Sequence, residues 1–360
     1  MRHTNKIILI VLIFLTSLVA ENEIGKPFLQ LGHHYDISSI AFSPDAKFIV
    51  SGSNDGAIKL WDIASGKEIK TFGVGNLQAH SIAFSPNGKT IASGGANTDP
   101  FIKYSGIKLW DITSGKEIKT FTFDAKISSL ETIAFSPDGK TIASGSRYGA
   151  IKLWDIASGR EIKTFGIDGN DSVLKIAFSP DGKTIASRGY GHEIFIWDID
   201  SGKKIQTFSG HNSENGSIAF SPDGKTIVSS GWSLFEYNDT YVPDGTIKLW
   251  NIASGKEIKT FRWNSQDELH PLIFSVAFSQ DGKTIAGNSN IGEEYCIKLW
   301  DVDSEEEIKT FVGDSHLTGS IVFSPDGKTI ASGAGTEIKL WDIDSGKSIK
   351  TLSGHSDQGI

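Results

Sequence analysis

A chain of 360 residues with 38% hydrophobic and 22% charged residues and 39 glycines has the composition of a folded, turn-rich protein, which excludes a disordered or fibrous one. Its length allows two average domains or one large propeller or barrel. A formal charge of -8 disfavours nonspecific nucleic-acid binding, and a single cysteine, Cys296, excludes an intrachain disulfide, so stability must come from packing.

The first twenty residues stand apart. Arg2 and Lys6 precede an apolar run from Ile7 to Leu15, followed by Thr16-Ser17-Leu18-Val19-Ala20 and the acidic Glu21. That order predicts a secretory signal peptide over 1-20, cleaved after Ala20, and one mature domain over 21-360. The run is shorter than the roughly 20 residues a membrane-crossing helix needs, so an N-terminal anchor is the weaker alternative. Without Arg2 and Lys6, 33 basic and 43 acidic residues leave the mature chain at -10. The expected location is periplasmic or extracellular, with no stable membrane insertion after cleavage.

From there the chain is a repeat. Tryptophan followed by Asp or Asn recurs at Trp61, Trp110, Trp154, Trp197, Trp250, Trp300 and Trp341, which marks seven units. Each reads as four short strands. In the third, Thr132 to Phe135 is followed by the turn Ser136-Pro137-Asp138-Gly139, then by Thr141 to Ser144, a variable link, Ile151 to Trp154, the turn Ser158-Gly159, and Glu161 to Phe165. Pro presets φ in the first turn and Gly tolerates positive φ, which favours tight hairpins. The fourth strand carries charges such as Glu68 and Lys70, as an exposed edge should. Seven such units predict an all-β fold: a seven-bladed β-propeller of four-stranded antiparallel blades.

Phrases such as Ala177-Phe178-Ser179-Pro180-Asp181-Gly182-Lys183 and Gly245-Thr246-Ile247-Lys248-Leu249-Trp250 resemble the WD-repeat family over nearly all of residues 26 to 355. The resemblance implies structural tetrads of a loop His, a strand Ser, a turn Asp and the Trp. Two blades match fully, with His33, Ser51, Asp55 and Trp61 in the first and His211, Ser229, Asp244 and Trp250 in the fifth. The other five keep Trp but lose the His and Asp, and the sixth has Gly287 in place of Ser. For closure, Lys26 to Leu31 and Ser348 to Leu352 both resemble a fourth strand and compete for the outer slot of the seventh blade.

The two constant turns of every blade share one face of a propeller, and the insertions fall on the opposite face: Ala96 to Ser105, Trp232 to Pro243, Asn288 to Tyr295 and Arg262 to Leu272. Tyr, Trp and Arg, the residue types that dominate interface hot spots, concentrate there. The candidate binding residues are Trp232, Phe235, Tyr237, Tyr241, Trp263, Arg262, Arg147, Tyr148, Arg188, Tyr190, Tyr104 and Tyr295. Confinement of all novelty to loops in a duplicated framework is the competing explanation, with the loops packing on themselves.

Chemistry is harder to find. His80, His192, His270 and His316 lie in different blades without a shared motif, and the acidic stretch Asp301 to Glu307 lacks the glycine and spacing of a calcium loop. No glycine-rich turn leads into a helix as phosphate loops require. The expectation is therefore a non-enzymatic scaffold without metal or cofactor that binds a protein or peptide partner, as the WD-repeat resemblance implies. The alternative is an exported enzyme or small-ligand binder using the mouth of the central channel, where Asp99, Glu236, Asp239, Glu293 and Glu294 would have to converge.

Overall fold

The computed structural model describes residues 33–73, 78–96, 105–123, 130–147, 149–166, 172–190, 192–211, 216–237, 240–263, 273–291, 294–313 and 317–353. Residues 1–20, expected to be a signal segment, lie outside these residues, as do Lys26 to Leu31, Tyr104 and Tyr148. So do the side chains of 232–237 and 240–244.

Seven four-stranded antiparallel sheets, each a simple meander, form the blades of a propeller. In the third, strands Leu130–Phe135, Thr141–Ser146, Ala150–Asp155 and Glu161–Gly166 pair in sequence order. The first strands contact one another in succession around the ring, from Ile37–Phe42 of blade 1 to Leu317–Phe323 of blade 7 and back, and so surround the central channel.

The core is divided into seven clusters, one per blade junction, because both faces of each sheet are apolar and each face needs a neighbour. Between blades 1 and 2, Val50, Leu60 and Phe72 pack on Ile82, Ile91 and Trp110. In six blades the phenylalanine near the end of the fourth strand meets the next blade's tryptophan, as Phe72 meets Trp110 and Phe311 meets Trp341, with centroids 6.2 and 5.8 Å apart, and in the seventh Leu352 takes its place in the cluster with Trp61. Burying one such ring contributes about 1.5–3 kcal/mol.

Lysines latch the junctions at the outer edge. Lys70 Nζ donates to the carbonyls of Ile112 and Thr113 in the next blade, at 2.9 and 2.6 Å. Lys119, Lys163, Lys259 and Lys309 repeat the contact. In blade 4 Gln206 takes the place, lying against Gly255, where a side chain would collide with it. Opposite each tryptophan the ladder shifts register, leaving an extra residue on the fourth strand, as Ile69 between Glu68 and Lys70. These bulged isoleucines are about half exposed in every blade. A bulge between charges spoils an outer edge for pairing with another sheet.

Closure is by the C-terminal segment. Ser348–Leu352 pairs with Glu337–Asp342 and completes blade 7. The ring then shuts through side chains: Leu340 and Leu352 join Ile37, Ile49 and Trp61 in one buried cluster. Lys350 Nζ donates to Ile63 and Ala64 carbonyls, both at 2.7 Å.

One expectation about loops is corrected. Trp232 to Pro243 is not an irregular link, because Thr226–Tyr237 and Thr240–Asn251 pair in register to their tips. Aromatic and β-branched residues such as Trp232, Phe235, Tyr241 and Val242 favour an extended pleat. Each of these strands has 12 residues, against 6 in the equivalents of blade 3. At about 3.3 Å per residue the hairpin runs roughly 20 Å past the blade.

Candidate interaction face

In blade 1, His33 Nε2 lies 2.7 Å from Ser51 Oγ, and its Nδ1 lies 3.3 Å from Asp55 Oδ2. Trp61 Nε1 donates to the same Ser51 Oγ at 2.9 Å. Burial alone would raise the Asp55 pKa, but the bonds from His33 and from the N–H groups of Ala57 and His34 outweigh it and hold it at about 2. In blade 5, His211 Nε2 lies 2.7 Å from Ser229 Oγ, to which Trp250 Nε1 donates at 2.8 Å. The side chain of Asp244 lies outside the described residues; Thr246 Oγ1 stands 3.5 Å from His211 Nδ1. These groups brace the loops of the variable face from within.

Where the histidine is missing, other rings fill the space. Trp263 sits edge-on to Trp300 with centroids 5.5 Å apart, and Phe123 does the same against Trp154 at 4.9 Å. Trp263 follows Phe261 by two residues, the offset at which Phe123 follows Phe121. Gly287 is part of this repacking, because a Cβ there would come within 2.7 Å of Ile247 and 3.1 Å of Trp300. Tyr295 packs against Trp341 in the same manner, with centroids 6.3 Å apart.

Three of the expected binding residues are therefore corrected. Trp263 and Tyr295 are 1% and 0% exposed, and Arg188 is 1% exposed. A side chain with no accessible surface cannot touch a partner in this conformation. Trp263 packs between blades 5 and 6 and Tyr295 between blades 6 and 7, and Arg188 is wedged between blades 4 and 5, donating to the Ser230 carbonyl beside Gly216. Burial pushes the Arg188 guanidinium down to about 10, which leaves it charged at neutral pH. The signal for Trp263 was its offset from the fourth-strand phenylalanine.

Other candidates remain at the surface. Arg147 and Arg262 are exposed, and Tyr190 is 36% exposed. Arg147 Nε pairs with Glu131 at 3.3 Å, and its guanidinium lies 5.9 Å from the Tyr190 ring centroid. Two adjacent blades thus present a guanidinium over a phenol at the outer range of a cation–π contact. Sequence reasoning passed over Glu131, which lies on the first strand of blade 3 where the ladder shifts register. Trp232, Phe235, Tyr237 and Tyr241 have their backbones in the projecting hairpin.

The opposite mouth of the channel is apolar. A cavity of about 520 Å³ is lined by Phe220, Phe278, Phe323, Pro180, Pro222 and Gln280, among others. Its rim is open at Gln280, since in five blades the turn proline lies beside the glycine of the next blade's turn, as Pro222 does at Gly282, whereas Gly327 in the blade after Gln280 has nothing within 4 Å. No carboxylate lines this cavity. Of the acidic loop residues, Asp99, Asp239 and Glu293 lie outside the described residues, as do the side chains of Glu236 and Glu294.

Seven sheets in a ring, with serine-to-tryptophan bonds inside the blades, define a WD-type propeller. The WD40 family (WD domain, G-beta repeat) matches residues 25–62, 66–111, 115–155, 159–198, 202–251, 255–301 and 305–342, and the chain belongs to that family. It is similar to Ribosome assembly protein 4 of Saccharomyces cerevisiae, 50% identical over 48 residues, which is 13% of this chain and 9% of that protein. Periodic tryptophan protein 2 of the same yeast is 49% identical over 43 residues, 12% and 5% of the two chains. Small ribosomal subunit protein RACK1 of Caenorhabditis elegans is 38% identical over 55 residues, 15% and 17%. Each match spans less than a fifth of the relative's length.

Proposed function

We propose that this chain is a scaffold that holds a protein or peptide partner on its variable face. The observation that carries the reading is the exposed pair of Arg147 and Tyr190 beside the channel, on the face from which the long hairpin projects. Arginine and tyrosine combine large contact area with polar ends, and the pairing of Arg147 with Glu131 helps order the guanidinium before a partner arrives. The names of two relatives, a ribosome assembly protein and a small ribosomal subunit protein, fit a reading in which the chain works within assemblies.

The test is affinity capture from an extract of the source cells, with the chain from Glu21 onward and a variant bearing Ala at Trp232, Phe235, Tyr237 and Tyr241. A partner held by the parent and lost by the equally folded variant supports the reading. Capture of the same proteins by both removes the hairpin from it.

Export belongs to the same proposal, supported by the order of Arg2 and Lys6, the apolar run and Ala20. N-terminal sequencing of the native protein is expected to begin near Glu21. An intact Met1 on cytoplasmic material would overturn it.

A further inference from the structure

The innermost strands set one residue of every blade at the same level of the channel, just before the buried Ile or Val. Six blades carry a hydroxyl there, and its role is visible in three. Ser39 Oγ accepts from Ile82 N–H at 3.2 Å, Ser81 Oγ from Ile133 N–H at 3.1 Å, and Ser275 Oγ from Ile321 N–H at 3.3 Å. Each hydroxyl stitches its strand to the next blade. Blade 4 has Lys175 instead. An ammonium accepts no hydrogen bond, so this residue cannot make the stitch.

Lys175 opens the innermost strand of blade 4 and is exposed to solvent. Desolvation by the surrounding protein lowers its pKa, and the nearby Glu131 carboxylate acts the other way. Glu131 is also the partner of Arg147, so one carboxylate serves two cations. Buried Arg188, the ladder partner of Lys175, adds a third positive charge. The described groups of this sector thus carry three cations and one carboxylate, in a chain whose formal charge is -8.

We propose that this sector of the variable mouth is a carboxylate-binding site, with Lys175 as the cation in the channel and Arg147, over the Tyr190 ring, as the second cation at its rim. The partner chemistry that fits is an acidic peptide whose Glu or Asp side chain enters the mouth. An incoming carboxylate would pair with the ammonium and offset the desolvation that disfavours its charged form. The proposal rests on the interaction reading and adds the chemistry of the partner.

The experiment is fluorescence anisotropy of rhodamine-labelled tetraglutamate with the full chain, competed by unlabelled tetraglutamate, tetraglutamine or glutarate. Lys175→Ser installs the hydroxyl type that the other six blades use, so the fold is kept. Lys203→Ser, on the constant face, makes the same charge change elsewhere. Lys175→Ser is expected to weaken tetraglutamate binding by about tenfold and Lys203→Ser by less than about twofold, with tetraglutamine inert. Competition by glutarate at similar concentration extends the site to free dicarboxylates, and competition by the peptide alone restricts it to acidic chains; both support it. Equal affinity of parent and Lys175→Ser, equal losses in both variants, or no binding of tetraglutamate overturns it. A cellular partner captured equally by parent and Lys175→Ser would sink the carboxylate site while leaving the interaction face standing.

Discussion

The two faces of the propeller solve different problems with the same strands. On the constant face nearly every blade repeats one hydrogen-bond pattern: Ser136 Oγ donates to Asp138 Oδ1 at 2.6 Å, as Ser179 does to Asp181 at 2.7 Å and Ser324 to Asp326 at 2.6 Å. These hydroxyls, helped by nearby backbone N–H groups, hold the carboxylates below their ordinary pKa. The lysine latches land at this end too, on the turns that lead into the fourth strands. Across the molecule few blades agree. Histidine, tryptophan or phenylalanine braces the central Trp, and the links range from a tight turn to a 12-residue ladder. Uniformity marks the end that closes the ring, and variety marks the end free to recognise something.

Breaking the shared framework should have the largest effect. Trp61→Ala removes a fully buried ring and its bond to Ser51, and an urea melt is expected to show about 3–5 kcal/mol lost. Removing one latch should come next. Lys350→Ala deletes two charge-assisted bonds across the closing junction and is expected to lose about 1.5–3 kcal/mol, with Lys347→Ala, on the adjacent exposed turn, near zero. Equal results for the two lysines would remove the latch from the account.

A smaller effect separates the braces by pH. Burial first, then Arg188 and Lys248, pushes His211 down to about 2, whereas an unfolded histidine titrates near 6.5. Between those values the unfolded chain takes up a proton that the folded chain refuses, so stability is full above 6.5 and falls as pH drops below it. The slope is at most about 1.4 kcal/mol per pH unit. Asp55 acts in the same direction but only below its unfolded value of 3.8, since its folded value is about 2. Unfolding at pH 7 and pH 5 should therefore show a loss in the parent that His211→Gln reduces; an unchanged slope would contradict the assignment.

Most of the fold was legible because the repeat carries it. The spacing of the seven tryptophans defined the blades, and the strands read for the third unit match those observed to within two residues at each end. The surface was less legible, since residue type tells what a side chain can do but not which way it points. Trp263 and Tyr295 were expected on the face and pack inside because the missing histidines left room beside Trp300 and Trp341. Arg188 follows Ser187 on an inner strand, where a long side chain can reach only the neighbouring blade. The aromatic and β-branched residues of the hairpin were visible, but their order does not alternate, so they gave no clear strand signal between two strands already assigned. Lys175 breaks the hydroxyl pattern of the first strands, a signal visible only after the seven units are aligned by blade.

The division of labour between the faces is tested most directly by paired variants measured for both folding and partner binding. One bears Ala at Arg147, Tyr190 and Arg262, and the other bears Ala at Lys140, Lys183 and Lys225 on the constant face. Both are expected to melt close to the parent, and only the first should lose the captured partner. Loss of the partner by the constant-face variant, with binding kept by the other, would contradict the account.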